Sequence, residues 1–262
     1  MAFLRRFILM MQFMTSIPIN INVRAEKEDF GKGLSAAPLV GAIVGALLAA
    51  GYYLSRMIFP ASVAAVFTIA IYIIATGGIH IDGLGDTADG LFSNRPKEKI
   101  LEIMKDSRVG TNAVLAVLLV ILLNVSLVSS LGAETVIVLL LMPVAGRIGS
   151  LIASGTSKYA GISDGPGRWC VECCGNKDIV RGIINYIIIF LVYGGICFVL
   201  PQNIINVPAI LIAGIIPPFS AYILARLLGK RLGGVTGDIL GAVCELNQVI
   251  FLITAYILLK YL

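Results

Sequence analysis

The sequence predicts an all-α polytopic membrane protein, and three observations support this fold class. Of the 262 residues, 58% are hydrophobic and 13% are charged, whereas soluble domains carry about 25% charged residues. The mean hydropathy is +0.95. Apolar segments of about 18–24 residues recur along the chain, and each is long enough to cross a hydrocarbon core of about 30 Å as a helix. We therefore expect one integral membrane domain that covers residues 1–262.

Seven apolar segments are predicted to span the membrane. The first contains Gly41 and Gly45, a spacing that lets two helices pack closely. The sixth contains Pro217 and Pro218, which should kink or break its helix. The predicted spans are 36–59, 61–79, 113–131, 135–152, 183–200, 205–228 and 239–259.

Residues 1–18 form a separate apolar stretch that superficially resembles a signal peptide, with Arg5 and Arg6 near its start. No small-x-small cleavage site follows, and Pro18 ends the run. Such a segment is more typical of an interfacial or re-entrant helix than of a cleaved leader.

The charge distribution predicts the orientation of the chain. If the N-terminus is cytoplasmic, all of the 20 basic residues except Arg56 and Lys260 fall in cytoplasmic segments, Arg147 among them. The positive-inside rule then predicts a multi-pass protein of the cell membrane whose C-terminus lies outside. The net charge of +5 is therefore an orientation signal, and no nucleic-acid partner is expected.

The most informative polar segment covers residues 80–111 and follows the second span. Asp82, Asp86 and Asp89 are spaced so that a helix would place them on one face, within roughly 60°. Three carboxylates on one face repel one another unless a cation lies between them. The pattern favours a magnesium site that binds a phosphate ester. The alternative is a solvated acidic helix end at the membrane surface.

A second short helix should begin at Pro96, because proline is tolerated in a first helical turn, and should run to about Ser107. Lys105, Asp106, Ser107 and Arg108 then cluster just before the third span. The two basic side chains either bind phosphate opposite the acidic face or anchor the orientation of the chain.

Two further polar segments have less specific patterns. Residues 158–178 form a glycine-rich loop with the only tryptophan, Trp169, and either cover a ligand or merely connect two spans. Cys170, Cys173 and Cys174 lie in this loop, and Cys197 and Cys244 lie elsewhere. A reducing compartment disfavours a structural disulfide, and one CxxC supplies too few ligands for a zinc site.

The segment 232–246 places Asp238 and Glu245 seven residues apart, which is two helical turns on one face. Glu245 falls within the seventh span. An acidic residue there is costly and indicates a function.

These motifs resemble the cobalamin synthases, also called adenosylcobinamide-GDP ribazoletransferases. The resemblance is carried by G-G-I-H-I-D-G-L-G-D-T-A-D-G, by L-E-I-M-K-D-S-R-V-G-T and by L-G-G-V-T-G-D-I-L-G-A-V-C-E-L. Phe13, Thr15, Ile17 and Pro18 resemble an N-terminal signature of the same family. The sequence departs from the family pattern at Ser16, Gly161, Asn247 and Gln248.

The resemblance implies a membrane transferase of substituted phosphate groups that uses Mg²⁺. Its expected substrates are adenosylcobinamide-GDP and α-ribazole or α-ribazole 5′-phosphate, and its products are adenosylcobalamin or its phosphate and GMP. The expected partners are these substrates and the lipid bilayer, with a homo-oligomer as a further expectation.

The expected site residues fall into three overlapping groups. Catalysis is assigned to Asp82, Asp86, Lys105 and Arg108, and the metal to Asp82, Asp86, Asp89 and Asp106. Substrate binding is assigned to His80, Ser107, Asp238 and Glu245. His80 could act as a base or as a structural hydrogen-bonding residue, and a carboxylate is preferred as any base.

Two alternative functions follow from the same residues. Another magnesium-dependent membrane phosphotransferase or prenyltransferase would also use an aspartate-rich helix near the membrane face. A transporter would use Glu245 as a proton or ion relay, although the clustering of acids at the cytoplasmic edge argues against it.

Overall fold

The fold is all-α in a computed structural model that describes residues 2–199 and 206–261. Within those ranges the chain forms thirteen α-helices, two 3-10 turns and no β-strand. The helices are α1 Ala2–Met14, α2 Lys27–Gly33, α3 Ala37–Arg56, α4 Ala61–Thr76, α5 Ile79–Phe92, α6 Lys97–Ile103, α7 Thr111–Ser130, α8 Thr135–Thr156, α9 Pro166–Glu172, α10 Asn176–Val199, α11 Val207–Ala213, α12 Ile216–Gly229 and α13 Gly237–Tyr261.

The predicted class of polytopic membrane protein is confirmed by the long apolar helices. Five segments of the described chain are long and apolar enough to cross a membrane: Lys27–Arg56, Thr111–Ser130, Gly132–Thr156, Val207–Gly229 and Gly237–Tyr261. The bent pair α4 and α5 adds a sixth if it counts as one span. The predicted span 183–200 corresponds to α10, but its end at Leu200, the Ile205 start of the next predicted span and the Cys197 side chain lie outside the described residues. The total of seven stays a prediction.

The centre of the bundle is the pair α3 and α8, which make the most extensive helix contact. A Cβ on Gly45 would lie 2.1 Å from the Leu140 carbonyl oxygen, and one on Gly41 would lie 2.7 Å from the Pro143 carbonyl oxygen. No side chain fits at such separations, so the two glycines bring the helix backbones into direct contact. The close packing predicted from their spacing is confirmed.

A sharp turn separates α4 from α5. Gly77 and Gly78 adopt left-handed backbone conformations, with φ of 62° and 70°, which glycine adopts without steric cost. The two helices consequently meet at 91°. The acidic helix α5 therefore leaves the direction of the predicted span and turns across one end of the bundle.

Proline positions match the helix boundaries. Pro96 precedes α6 as predicted, although α6 ends at Ile103 rather than near Ser107. The sixth predicted span is interrupted between α11 and α12, and Pro217 and Pro218 occupy the first turn of α12. The break predicted for that span is confirmed.

The N-terminal helix α1 packs on the bundle and buries Met10, Met11 and Met14. Arg5 and Arg6 donate hydrogen bonds to the buried carboxylate of Asp29 at the start of α2, with an Arg5 Nη2 to Asp29 Oδ2 distance of 2.7 Å. These two arginines thus fix α1 to α2, while the predicted interfacial placement of α1 stays a prediction.

Candidate active site

Two cavities meet at one end of the bundle and contain most of the predicted site residues. The larger has a volume of about 1000 Å³ and lies between α5 and α7; we call it the α5–α7 cavity. The smaller has a volume of about 320 Å³ and lies beneath residues 159–168; we call it the loop cavity. Met104 and Lys105 line both cavities and form the wall between them.

The α5–α7 cavity has one polar and one apolar side. Its polar side contains six of the predicted site residues, which are Asp82, Asp86, Lys105, Asp106, Ser107 and Arg108. Its apolar side is formed largely by α7, through Val114, Val117, Leu118 and Ile121. Such a cavity suits a large amphiphilic ligand that carries a charged group at one end.

The acidic face of α5 points into this cavity at Asp82 and Asp86. The helix predicted from their spacing is confirmed by α5. Burial raises the pKa of Asp86 to about 7, and the nearby carboxylates of Asp82, Asp238 and Asp89 raise it as well. A positive charge placed among these groups would relieve both their repulsion and the cost of burial.

Asp238 reaches the site because α13 begins directly against α5. A Cβ on Gly83 would lie 2.8 Å from the Asp238 carbonyl oxygen, and one on Gly241 would lie 3.0 Å from the His80 carbonyl oxygen. Glycine at both positions permits this backbone contact. Asp238 lines the loop cavity, on the other side of the Met104 and Lys105 wall from Asp82 and Asp86.

The carboxylate oxygens of Asp82, Asp86 and Asp238 are suited to Mg²⁺, which prefers oxygen ligands. In the described chain, three possible ligand atoms lie within 4.8 Å of one another in the group His80, Cys244 and Glu245. The oxygens of Asp82, Asp86 and Asp238 do not meet this criterion. A Mg²⁺ site does not need three protein ligands in contact with one another, because the ion usually keeps several waters and binds one or two carboxylates together with substrate phosphates. The donor set of Asp82 and Asp86 therefore fits the ion.

Asp89 does not line the α5–α7 cavity. Its Oδ2 accepts a hydrogen bond of 2.6 Å from the Gly110 amide, and its Oδ1 accepts one of 2.9 Å from the Ala113 amide. Both oxygens are thereby engaged with the first turn of α7, where a negative charge is favourable. Asp89 thus stays close enough to Asp86 to raise the pKa of that carboxyl, but its own oxygens are engaged as an anchor for α7.

Asp106 and Arg108 lie at the mouth of the same cavity and pair with each other. Arg108 Nε donates to Asp106 Oδ1 at 3.0 Å. The hydrogen bond from the Arg108 side chain lowers the pKa of Asp106 to about 2. In this arrangement Asp106 interacts with Arg108 rather than with the α5 carboxylates.

Glu245 is fully buried and reaches neither cavity. The Tyr72 hydroxyl donates a hydrogen bond to Glu245 Oε1 and accepts bonds from Arg147 Nη1 at 3.2 Å and from Gln248 Nε2 at 2.8 Å. These four residues form a cluster that joins α4, α8 and α13. Sequence reasoning placed Glu245 with Asp238 because the two share a helix face, but two turns of α13 separate them.

Arg147 was predicted to be cytoplasmic, and that prediction is wrong. The residue lies within α8 and has no exposed surface. Its guanidinium lies 5.5 Å from the centre of the Tyr72 ring. A buried arginine inside an apolar span needs polar neighbours, and here its described hydrogen bond is to the Tyr72 hydroxyl, which in turn donates to Glu245.

His80 is also buried, at the start of α5. It borders a third cavity of about 60 Å³ rather than either larger cavity. Its Nδ1 atom has no hydrogen-bond partner within the described part of the chain. The histidine therefore lies outside the α5–α7 cavity into which Asp82 points.

The glycine-rich loop is held in place by backbone hydrogen bonds at its start and by side-chain hydrogen bonds near its middle. The Ala160 amide donates to the Val235 carbonyl at 2.9 Å, and the Val235 amide donates to the Lys158 carbonyl at 2.8 Å. Asp164 accepts hydrogen bonds from Lys27 Nζ at 2.9 Å and from Trp169 Nε1 at 2.7 Å. These contacts fix the loop in one conformation, in which it forms one wall of the loop cavity.

The cysteines of this loop are free thiols. Cys170 and Cys174 are buried, and burial raises the pKa of both, that of Cys174 to about 12. A Cβ on Gly31 would lie 2.3 Å from the Cys173 backbone, so α2 packs tightly on the end of α9. The cysteines of this loop therefore contribute to the packing between α2 and α9.

Comparison with known proteins identifies relatives along nearly the whole chain. A family model described as cobalamin-5-phosphate synthase matches residues 6–256. A protein of Clostridium acetobutylicum named adenosylcobinamide-GDP ribazoletransferase is 48% identical over 262 residues, which is 100% of this chain and 99% of the relative. A protein of Acetivibrio thermocellus with the same name is 45% identical over 258 residues, 98% of this chain and 99% of the relative. No solved structure matches the chain.

Proposed function

The chain belongs to the cobalamin-5-phosphate synthase family, and we propose that it is an adenosylcobinamide-GDP ribazoletransferase. In this reaction a hydroxyl oxygen of α-ribazole, or of its 5′-phosphate, attacks the phosphorus that is bonded to cobinamide. A P–O bond forms, the P–O bond to GMP breaks, and the hydroxyl proton is lost. Adenosylcobalamin, or its phosphate, and GMP are the products.

The observation that carries the proposal is the arrangement of groups around Lys105. Asp82 and Asp86 lie in a large cavity with an apolar side, Asp238 lies in a smaller adjoining cavity, and Lys105 lines both. A phosphoryl transfer between two bulky substrates needs charged groups at one point and space on either side of it. A transporter would instead need its ionisable groups along a path through the bundle.

Each residue of the polar side has a proposed task. Asp82 and Asp86 hold the magnesium ion, which when bound offsets negative charge on the diphosphate. Lys105, Arg108 and Ser107 bind phosphate oxygens, Lys105 from the wall between the cavities and Arg108 from the cavity mouth. Asp106 orients Arg108, and a direct contact of Asp106 with the ion stays a weaker proposal because its oxygens already accept from that arginine.

The remaining predicted residues act from outside the α5–α7 cavity. Asp89 fixes the start of α7, and through it the apolar side of the cavity. His80 and Glu245 position α5 and α13 from the buried side rather than bind substrate directly. Asp238 approaches the same group of carboxylates from the loop cavity.

We further propose that the protein works in the cell membrane with its N-terminus and the two cavities on the cytoplasmic side. The distribution of basic residues supports this orientation, even with Arg147 removed from the count. The substrates named above are then reached from the cytoplasm, and the apolar side formed by α7 faces the bilayer.

A turnover assay tests the function. Purified protein in liposomes receives adenosylcobinamide-GDP, α-ribazole and Mg²⁺, and GMP release and cobalamin formation are followed. We expect product that disappears on chelation and falls by at least about a hundredfold in Asp82→Asn, which is the scale of losing one transition-state charge contact. Folded wild-type protein that yields no product would refute the function, whereas full activity in folded Asp82→Asn would refute only the site.

A further inference from the structure

The loop cavity adjoins the α5–α7 cavity but differs from it in size and in the residues that line it. We propose that the loop cavity is the subsite for the acceptor nucleoside, and that it holds the base and ribose of α-ribazole while the corrinoid substrate occupies the α5–α7 cavity. This inference rests on the proposed function, which supplies the two substrates.

Position is the first argument. The acceptor hydroxyl and the phosphorus must come within about 3.5 Å for reaction, so the nucleoside has to bind next to the phosphate groups. The two cavities share Met104 and Lys105 in their lining, with Asp82 and Asp86 in one cavity and Asp238 in the other. A nucleoside in the loop cavity would present its ribose towards Met104 and Lys105.

Size is the second argument. Ligand pockets generally range from about 300 to 1000 Å³, and the two cavities lie at the two ends of this range, at about 320 and 1000 Å³. The corrinoid macrocycle with its adenosyl ligand is far larger than a nucleoside. Of the two substrates, only the nucleoside is small enough for the loop cavity.

Charge is the third argument. Arg168 pairs with Glu172, and Asp164 pairs with Lys27, so the charged side chains of the loop already have partners. Apart from Lys105 and Asp238, which lie beside the wall to the α5–α7 cavity, the charged residues that line the loop cavity are thus paired. Such a lining favours an uncharged nucleoside over the anionic guanine nucleotide of the other substrate. The half-buried ring of Tyr159 offers an aromatic surface on which a flat heterocyclic base can pack.

Gly165 makes the inference testable. A Cβ at this position would meet no atom within 4 Å, and φ of 166° is extended backbone that other residues adopt. A side chain at 165 would therefore begin in open space, at a position that lines the loop cavity. Gly175 provides a matched control, because a Cβ there would be 3.7 Å from its nearest neighbour, the Asp178 carboxylate, and the residue lines neither cavity.

The experiment measures binding and turnover of wild type, Gly165→Leu and Gly175→Leu in liposomes. Isothermal titration gives the Kd of α-ribazole, of adenosylcobinamide-GDP and of GMP, and steady-state assays give the KM of both substrates. For Gly165→Leu we expect the Kd and KM of α-ribazole to rise by at least about tenfold. We expect the constants of the corrinoid substrate and of GMP to stay within about twofold, and Gly175→Leu to behave as wild type.

Three results would overturn the inference. They are unchanged α-ribazole constants in Gly165→Leu, an equal rise for both substrates, or a selective loss of GMP binding. Tyr159→Ala is a second variant, which removes aromatic surface without adding volume, and it serves as the test if Gly165→Leu does not fold. It should weaken the binding of α-ribazole selectively. Failure of the proposed function is distinct, because wild-type protein would then bind neither substrate and form no product.

Discussion

Gly83 and Asp238 are in direct backbone contact: a Cβ added to Gly83 would lie 2.8 Å from the Asp238 carbonyl oxygen and 3.0 Å from its Cα. This contact joins two segments that are more than 150 residues apart in the chain. It sets the distance between Asp238 and the residue before Gly83, which is Asp82. The geometry of the acidic groups therefore depends on the absence of one side chain.

Replacing Gly83 by alanine should separate α13 from α5 and so reduce activity. Overpacking of this kind costs about 1–3 kcal/mol, and we expect kcat to fall by at least about tenfold. The measurement is steady-state turnover together with the apparent Tm. Gly175→Ala, at an exposed glycine outside both cavities, is the control. Unchanged kcat in Gly83→Ala would show that the contact does not set the site.

The raised pKa of Asp86 predicts a pH-dependent affinity for Mg²⁺. A carboxylate binds the ion only when deprotonated, and the pKa of Asp86 is about 7 in the protein without metal. Below this value protons compete with the ion, so the apparent Kd for Mg²⁺ should rise as pH falls from 8 to 6. Titration of wild type and Asp86→Asn across this range measures the effect.

The variant should bind Mg²⁺ more weakly at every pH, and its Kd should depend much less on pH between 6 and 8. An equally steep dependence in Asp86→Asn would assign the titration to another group.

Asp89→Ala should lower stability more than it lowers affinity for Mg²⁺. Loss of a helix cap costs about 0.5–2 kcal/mol, and here two amides of α7 lose their acceptor. The apparent Tm should therefore fall, while Asp82→Ala should change the Tm little and weaken Mg²⁺ binding strongly. A strong loss of Mg²⁺ binding with an unchanged Tm in Asp89→Ala would instead show that Asp89 is a metal ligand.

Arg147→Met should destabilise the protein strongly, because it removes the buried cation that is linked to Glu245 through the Tyr72 hydroxyl. Leaving a buried charge without a compensating charge costs about 3–5 kcal/mol. The double variant Arg147→Met with Glu245→Gln should recover part of this loss. Unfolding of the single and double variants measures the coupling, and strictly additive effects would show that the two residues are not coupled through Tyr72.

Local signals predicted the parts of the site that lie within one helix. The spacing of Asp82 and Asp86 predicted the helix and its acidic face, and Pro96 predicted the start of α6. These features depend on helical geometry alone, which is the same wherever the helix lies in the protein.

Partners that are distant in the chain could not be predicted in this way. The amides that bind Asp89 come from α7, and the hydroxyl that binds Glu245 comes from Tyr72, which is 173 residues away. Seven residues place Asp238 and Glu245 on one face, but they also separate the two by about 10 Å along the helix axis. The seven-residue spacing correctly predicts that the two residues share a helix face, but it does not predict how deeply each lies in the bundle.

The turn at Gly77 and Gly78 has a consequence for how substrate reaches the protein. Because α5 meets α4 at 91°, successive turns of α5 are displaced sideways and stay at nearly the same level along the axis of α4. A straight continuation of α4 would instead place Asp86 about 6 Å further along that axis than Asp82. A substrate that reaches this end of the bundle can therefore meet both carboxylates side by side at one level, without entering further for the second.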